Sequence, residues 1–423
     1  MPDCLPDAAL EPFKKAFQED NARLVETLLE RHPEIKKGVN DPVEAFDAPI
    51  ITRVRSRAML DVLLRAGADI NAKSRWWAGG FSLLHGAAPD LADYAISKGA
   101  VVDAHAAARL GKLDVLRSLI SAQPNLVHGR GGDGQMPLHF ASTVEIADFL
   151  LDHGADIDAR DIDHESTAAQ YAVRDRQPVV KRLIERGCKT DILLAAALGD
   201  SDLTQRHLRA DPQCIRMRVS HEYFPMINPK SGGTIYQWTL GWYVSAHQVA
   251  KEFGHEELYR YLMEKSPPEL RLLTACWTGD EEEVRAQLKD ASLLGKMTEG
   301  ERSHLALAAR NNALETVRLM LLAGFPITAR GQHGGTPSHW AAWRGNAAMV
   351  DLFLRHQAPL ELKDIDYSST PLGWAIHASE HGWDCGTGEY GRVVELLLKA
   401  GAKLPKNLEG NSDVRKVLQP YFQ

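Results

Sequence analysis

The feature that most limits what this chain can fold into is a block of about 33 residues that recurs along it. One copy reads Gly-Gly-Thr-Pro-Ser-His-Trp-Ala-Ala-Trp-Arg-Gly-Asn from Gly334 to Asn346, then an apolar run from Met349 to Leu354, then Ala358. A second reads Ser-Thr-Pro-Leu-Gly-Trp-Ala-Ile from Ser369 to Ile376, followed by Val393 to Leu398 and Gly401-Ala402. A third reads Met-Pro-Leu-His-Phe-Ala from Met136 to Ala141, followed by Ile146 to Leu151 and the run His153 to Ala159. The closing phrase of the block occurs again from Leu63 to Ala72. A unit this short cannot bury its apolar face alone, so copies must stack and share a core. A chain of 423 residues is also longer than one compact core normally supports, which a stacked array explains.

Each block has the makings of two helices. Thr336 and Thr370 are placed to cap a helix, and Pro337, Pro371 and Pro137 then stand at the first helical position, where no N–H is needed. The pairs Ala341-Ala342, Ala308-Ala309 and Ala107-Ala108 are small enough for neighbouring inner helices to approach closely. The Val- and Leu-rich second segments have apolar residues at helical spacing for an outer helix. Gly67, Gly154, Gly324 and Gly401 end those segments as left-handed C-caps.

These blocks resemble the ankyrin repeat family, whose signature is Thr-Pro-Leu-His-x-Ala. The resemblance implies an all-α solenoid of stacked helix-turn-helix units, with about twelve copies over nearly the whole chain. They begin near residues 8, 43, 75, 104, 134, 164, 191, 234, 269, 302, 334 and 368, and are least regular near 43–62 and 205–245. The expected organisation is an N-terminal capping repeat at 1–42, an array at 43–212, an aromatic-rich insertion at 213–245, a second array at 246–403 and a cap at 404–423. The second array carries its own insertion at 379–390. Some units begin directly as a helix without the Thr-Pro turn, at Ala106, Leu194 and Leu273, which suggests a larger module of about three repeats. Units near 48, 82 and 136 lack the usual link between their helices, so tight and irregular inner turns are expected there. Alternation around Trp238 suggests a short hairpin in the first insertion.

Composition removes several functions. The net charge is -7 and there is no long Lys/Arg run, so no nucleic-acid partner is expected. No stretch approaches about 18 uninterrupted apolar residues, and Met1 to Lys14 contains Asp3, Asp7 and Glu11, so neither a membrane span nor a secretory signal is expected. Cys4, Cys188, Cys214, Cys276 and Cys385 are scattered, which fits reduced thiols in a cytoplasmic protein better than a disulfide or zinc framework.

The resemblance implies a protein or peptide partner, bound where the stack leaves side chains free: at turn tips and at the inner-helix positions after the Ala-Ala pair. Carried over residue by residue, that gives Trp277, Arg310, Gln332, His333, Trp343, Arg344, Tyr367 and His377. Trp, Tyr and Arg are the types enriched at binding hot spots. His85, His139 and His339 share one slot and are expected to bond between adjacent units, and Trp340 and Trp374 to be buried. A scaffold or adaptor is the leading reading. The alternative is a small-molecule pocket or enzyme, with Arg216, His221, Tyr223, Trp238 and Trp242 of the first insertion walling a site over the groove. Phosphate-loop, dinucleotide and nucleophile-elbow motifs are absent from the sequence. His377-Ala378-Ser379-Glu380-His381 matches a zinc-peptidase pattern, with Glu389 or Glu395 as a third ligand, but Gly382 follows at once. No catalytic residue, metal or cofactor is therefore expected.

Overall fold

The computed structural model describes residues 7–422, so Cys4 lies outside them. It divides into two compact units, Met1–Leu258 and Tyr259–Gln423. Both are built of short helices; the strands Pro42–Glu44 and Ala48–Pro49 form one small antiparallel pair. Among the described residues no helix is long and apolar enough to cross a membrane.

A regular repeat is seen in the second unit. The inner helix Pro337–Trp343 is followed by the outer helix Ala347–Arg355, which Asn346 caps by accepting from the Met349 N–H. Ala341 and Ala342 are fully buried, as are Ala308, Ala309, Ala107 and Ala108. Thr370 caps its helix through Gly373 N–H at 3.3 Å, whereas the Thr336 N–H donates to His339 Nδ1 at 3.1 Å. With Nδ1 accepting, His339 Nε2 donates to the Ser369 carbonyl at 3.0 Å, so one imidazole ties two repeats together. His139 does the same between Met136 N–H and the Ser166 carbonyl, and burial pushes its ring down to about 4. Where the Thr-Pro turn is missing, Asp103 and Asp191 cap the inner helices instead. The irregular inner turns are 3₁₀ helices at Ile50–Arg53, Leu83–His85 and Pro137–Phe140. Gly67, Gly154, Gly324 and Gly401 all adopt positive φ. A last helix, Ser412–Leu418, buries Val414 and Leu418 over the end of the second unit.

The first insertion is not the expected hairpin. It holds one helical turn, Tyr236–Thr239, and a single bridge between Arg218 and Ser245. Its ends pair through the main chain, Val219 N–H to the Val244 carbonyl at 3.0 Å and Tyr243 N–H to the Val219 carbonyl at 2.7 Å, and side chains tie its middle to the repeats. Ser166 Oγ accepts from the Ile235 N–H at 3.0 Å, and the Tyr236 hydroxyl donates to Asp191 at 3.0 Å. Tyr236 is fully buried, so the insertion is packed against the array.

Candidate functional site

The second unit gathers four of the chain's nine tryptophans around one cavity of about 500 Å³. Trp340 and Trp343 lie three residues apart on Pro337–Trp343, on one helix face. Trp374 and His377 have the same spacing on Pro371–His381, and Trp383 follows in the insertion. Ring centroids are 5.0 Å apart for Trp340 and Trp374, 5.8 Å for Trp343 and Trp374, and 5.8 Å for the stacked pair Trp340 and Trp383. Edge-to-face and offset contacts of this kind add to the stability gained by burial.

The insertion is hooked onto the preceding repeat, which places Trp383. Glu389 N–H donates to the Gly345 carbonyl at 2.8 Å, Tyr390 Oη donates to the Trp343 carbonyl at 2.8 Å, and Arg344 pairs with Asp384 at 3.1 Å. Gly345 sits at φ +60°, and a Cβ there would meet the Gly388 α-carbon at 2.8 Å, so the close approach requires glycine. Trp383 is left 55% exposed. Arg310 covers the faces of Trp340 and Trp383 at 5.5 and 5.0 Å, and Arg344 lies over Trp383 at 5.5 Å.

The floor of the cavity is fixed by Asp364. Its carboxylate accepts from Trp374 Nε1 at 2.9 Å and from the N–H groups of Tyr367 and Ser369 at 2.6 and 2.9 Å. Burial works against its ionisation, but those bonds outweigh it and hold the carboxyl below the usual range. The indole N–H groups of Trp340 and Trp343 are buried without a hydrogen-bond partner among the described residues. Donors left this way in a cavity wall suit an acceptor on a ligand.

Four of the residues expected to bind a partner meet here: His333, Trp343, Tyr367 and His377 line the cavity. Arg310 joins them over the indoles, and Gln332 is exposed on the adjoining turn. Two expectations change. Arg344 spends its charge on Asp384, so it anchors the insertion instead of awaiting a partner's acid. Trp277 donates from Nε1 to His304 Nδ1 at 2.9 Å and packs on that ring, as a stacking residue does. Trp340 and Trp374 are buried as expected, yet they also form cavity wall. Trp383 is the functional candidate that sequence reasoning missed. A lone tryptophan inside an insertion was its only signal.

A second cavity of about 500 Å³ lies under the insertion of the first unit. Of the five residues expected there, only Tyr223 lines it, beside Phe224 and Ile227 and facing Asp158, Glu165 and Asp191. Trp238 is 72% exposed, His221 and Trp242 pack edge-to-face on each other at 5.0 Å, and Arg216 ends the turn Pro212–Arg216. The expected wall fails because the segment coils into a helical turn, which sends Trp238 outward while Tyr236 points in. In the peptidase-like motif, the rings of His377 and His381 lie 4.7 Å apart, but Glu380 pairs with Arg415 and Glu395 with Arg392 and Lys399.

Sequence comparisons agree with this architecture. The chain is 22% identical over 304 residues to the E3 ubiquitin-protein ligase KEG of Arabidopsis thaliana, a match covering 67% of this chain and 18% of that protein. The chain thus spans less than a fifth of that relative's length. The ankyrin-repeat family profile matches residues 104–194 and 305–407, in three copies. The chain is therefore an all-α protein that carries ankyrin repeats in both of its compact units.

Proposed function

We propose that this protein is an interaction scaffold or adaptor of the cytoplasm and that the second unit holds a peptide segment of a partner protein across the tryptophan cavity. The observation that carries this reading comes from the first unit. There, the positions equivalent to Tyr367, Ser369 and His377 are His164, Ser166 and Arg174. All three bind the main chain of the protein's own insertion. His164 Nδ1 donates to the Gly233 carbonyl at 2.7 Å, Ser166 Oγ accepts from the Ile235 N–H at 3.0 Å, and Arg174 Nε donates to the Thr239 carbonyl. The repeat surface at this position is thus suited to an irregular peptide, and in the second unit the same position stands open. The likeness to a ubiquitin-protein ligase supports a protein partner.

Recognition follows from the walls. An aromatic side chain buries roughly 150–250 Å². At about 25 cal/mol per Å², one such anchor among the indoles contributes roughly 4–6 kcal/mol before the losses of association. No carboxylate is among the described residues that line the cavity, so a basic side chain on the peptide would gain no ion pair there. The test is selection from a displayed random-peptide library. Wild type should enrich peptides with one fixed aromatic or large aliphatic position, and Trp383→Ala should lose them while unfolding at the same denaturant concentration. Enrichment without a bulky apolar position, or unchanged by Trp383→Ala, would sink the reading.

A small-molecule reading rests on the cavity beside Tyr223, whose facing carboxylates and nearby Arg160 and Lys189 suit a polar zwitterionic compound. Native mass spectrometry of the purified chain distinguishes it, since a bound compound would add a discrete mass that Tyr223→Ala removes.

A further inference from the structure

The turn that borders the tryptophan cavity in the second unit is repeated in the first with different side chains. Arg130-Gly131-Gly132-Asp133-Gly134 corresponds to Arg330-Gly331-Gln332-His333-Gly334. In the following repeat, Asp161-Ile162-Asp163-His164 corresponds to Asp364-Ile365-Asp366-Tyr367. The backbones agree. Asp133 and His333 both adopt positive φ, 55° and 59°. The Asp133 carbonyl accepts from Ile162 and Asp163 at 2.9 and 3.0 Å, and the His333 carbonyl from Ile365 and Asp366 at 3.1 and 3.3 Å.

The side chains do not agree. In the second unit His333 Nδ1 donates to Asp366 Oδ2 at 2.7 Å, and the two groups satisfy each other. In the first unit carboxylates fill both slots and an imidazole stands beside them. His164 Nδ1 bonds the Gly233 carbonyl, which only accepts, so Nδ1 carries a proton and Nε2 is the ring nitrogen left to face the carboxylates. Nε2 lies 3.8 Å from Asp133 Oδ2 and 3.9 Å from Asp163 Oδ2, beyond hydrogen-bonding reach. Oxygen and nitrogen atoms of all three residues lie within 4.8 Å of one another. Asp163 and His164 are only 4% and 8% exposed, and Asp133 Oδ1 is buried with no partner among the described residues. Two carboxylates and an imidazole nitrogen therefore converge in a largely buried place; Trp76 Nε1 reaches Asp163 Oδ2 at 3.3 Å, but no donor bridges the three groups, an arrangement that a cation would satisfy.

A neighbouring cluster shows the contrast. His85, Asp103 and His105 are equally close together. There, however, Ser82 N–H donates to His85 Nδ1 at 3.2 Å, His85 Nε2 donates to Asp103 at 3.0 Å, and Asp103 also caps the Ala106 N–H. Hydrogen bonds complete that group without an ion.

We infer that Asp133, Asp163 and His164 form a binding site for a divalent transition-metal ion with the nitrogen and oxygen preference of zinc, and that the ion fastens the insertion to the repeat turns. Two carboxylates and one imidazole are a sufficient protein set for zinc, with water in the fourth position. Tetrahedral ligands at bonds of about 2.0–2.1 Å stand about 3.3–3.4 Å apart, so His164 Nε2 needs to close on each carboxylate by about half an ångström. Their supports already orient them. A metal-bound imidazole normally donates its other N–H to a carbonyl or carboxylate, as His164 does. Asp163 accepts from Trp76 Nε1 at 3.3 Å and from the Gly232 N–H at 3.0 Å, and Ser231 Oγ donates to its carbonyl. Segment 231–233 thus touches two of the three ligand residues, and the ion would hold it in place.

The test uses the full chain, stripped with a chelator and dialysed, then titrated with zinc chloride by calorimetry. One equivalent should bind, slow amide exchange in 231–233 and raise the melting temperature. Cobalt(II) in its place should give visible absorption bands of a low-coordinate site. Asp133→Asn keeps the size of the side chain and tolerates the left-handed backbone. It should weaken zinc binding at least about tenfold with unchanged circular dichroism. His164→Gln should do the same. Three results would each overturn the assignment: no saturable zinc binding to wild type, calcium binding in preference to zinc, or zinc binding that persists in Asp133→Asn and disappears in His377→Ala/His381→Ala. Exchange in 231–233 that ignores zinc would also overturn it.

Discussion

One repeat position is occupied in the first unit and open in the second. At His164, Ser166 and Arg174 the chain lays its own insertion over the repeats, bonded through the main chain at three places. At Tyr367, Ser369 and His377 there is instead a cavity roofed by Trp383, with Tyr367 left 65% exposed. The repeats beneath share the bridging histidine, although Pro137–Phe140 is a 3₁₀ turn where Pro337–Trp343 is an α-helix, and what is inserted differs as well. A 213–245 segment long enough to fold back fills its site, whereas the shorter 379–390 segment contributes one indole and leaves room. The same surface is therefore a self-packed junction in one unit and an open cavity in the other. Charge follows occupancy. Burial, with Asp163 and Asp161 close by, pushes the Asp133 carboxyl up to about 6, while its counterpart His333 rests on Asp366.

The largest expected effect tests whether the insertion is integral to the first unit. Tyr236→Ala removes a fully buried ring and strips Asp191 of a donor, so urea unfolding should show a loss of about 4 kcal/mol. A loss under about 1 kcal/mol would mean that the insertion merely rests on the array. Acidification comes next. His139 is pushed down to about 4 by burial, so its folded pKa is depressed below the ordinary value near 6.5. Its stabilising contribution is complete above about pH 6.5 and fades as pH falls toward 4, at most about 3 kcal/mol. His139→Gln should flatten that part of the pH–stability curve, and an unchanged curve would show the imidazole is not the source. On the open side, Trp383→Ala should change unfolding by less than about 1 kcal/mol, since the ring is more than half exposed, while abolishing peptide enrichment. The smallest effect is expected from moving the acidic tip across. His333→Asp with Tyr367→His gives the second unit the side chains of Asp133 and His164 beside Asp366. It should bind zinc detectably but more weakly than the first unit, because no inserted carbonyl holds the new imidazole. Equal affinity at the two sites would show that the insertion contributes nothing to the ion site.

Much of this was legible from residues alone. The bridging role of His139 and His339, the alanine contacts and the glycine stops follow from a repeated pattern, and the structure shows each in its expected place. The cavity was half legible. His333, Trp343, Tyr367 and His377 sit at positions the stack leaves free, and four such positions on consecutive units converge without further information. Trp383 was not legible, since its place depends on hydrogen bonds from Glu389 and Tyr390 to the preceding repeat. Arg344 was misread for the same reason, because its partner Asp384 arrives on that loop. Periodicity around Trp238 suggested strands, yet the N–H groups of Trp238, Thr239 and Leu240 bond carbonyls of their own helical turn, and Ser166 takes the Ile235 N–H.

The sequence by itself determined the repeat, its helices and caps, and which inner-helix positions stay outside the core, because those depend on interactions within one unit or between adjacent copies. Only the tertiary structure decided where the two insertions return, and with them the roof of the tryptophan cavity and the grouping of Asp133, Asp163 and His164. The insertions are non-repeating, and their contacts reach across about 40 to 70 residues to groups no local pattern couples, such as Gly233 to His164 and Glu389 to Gly345. Local periodicity specifies a stack, while the return of a loop depends on which buried hydrogen-bonding groups it can satisfy when it arrives.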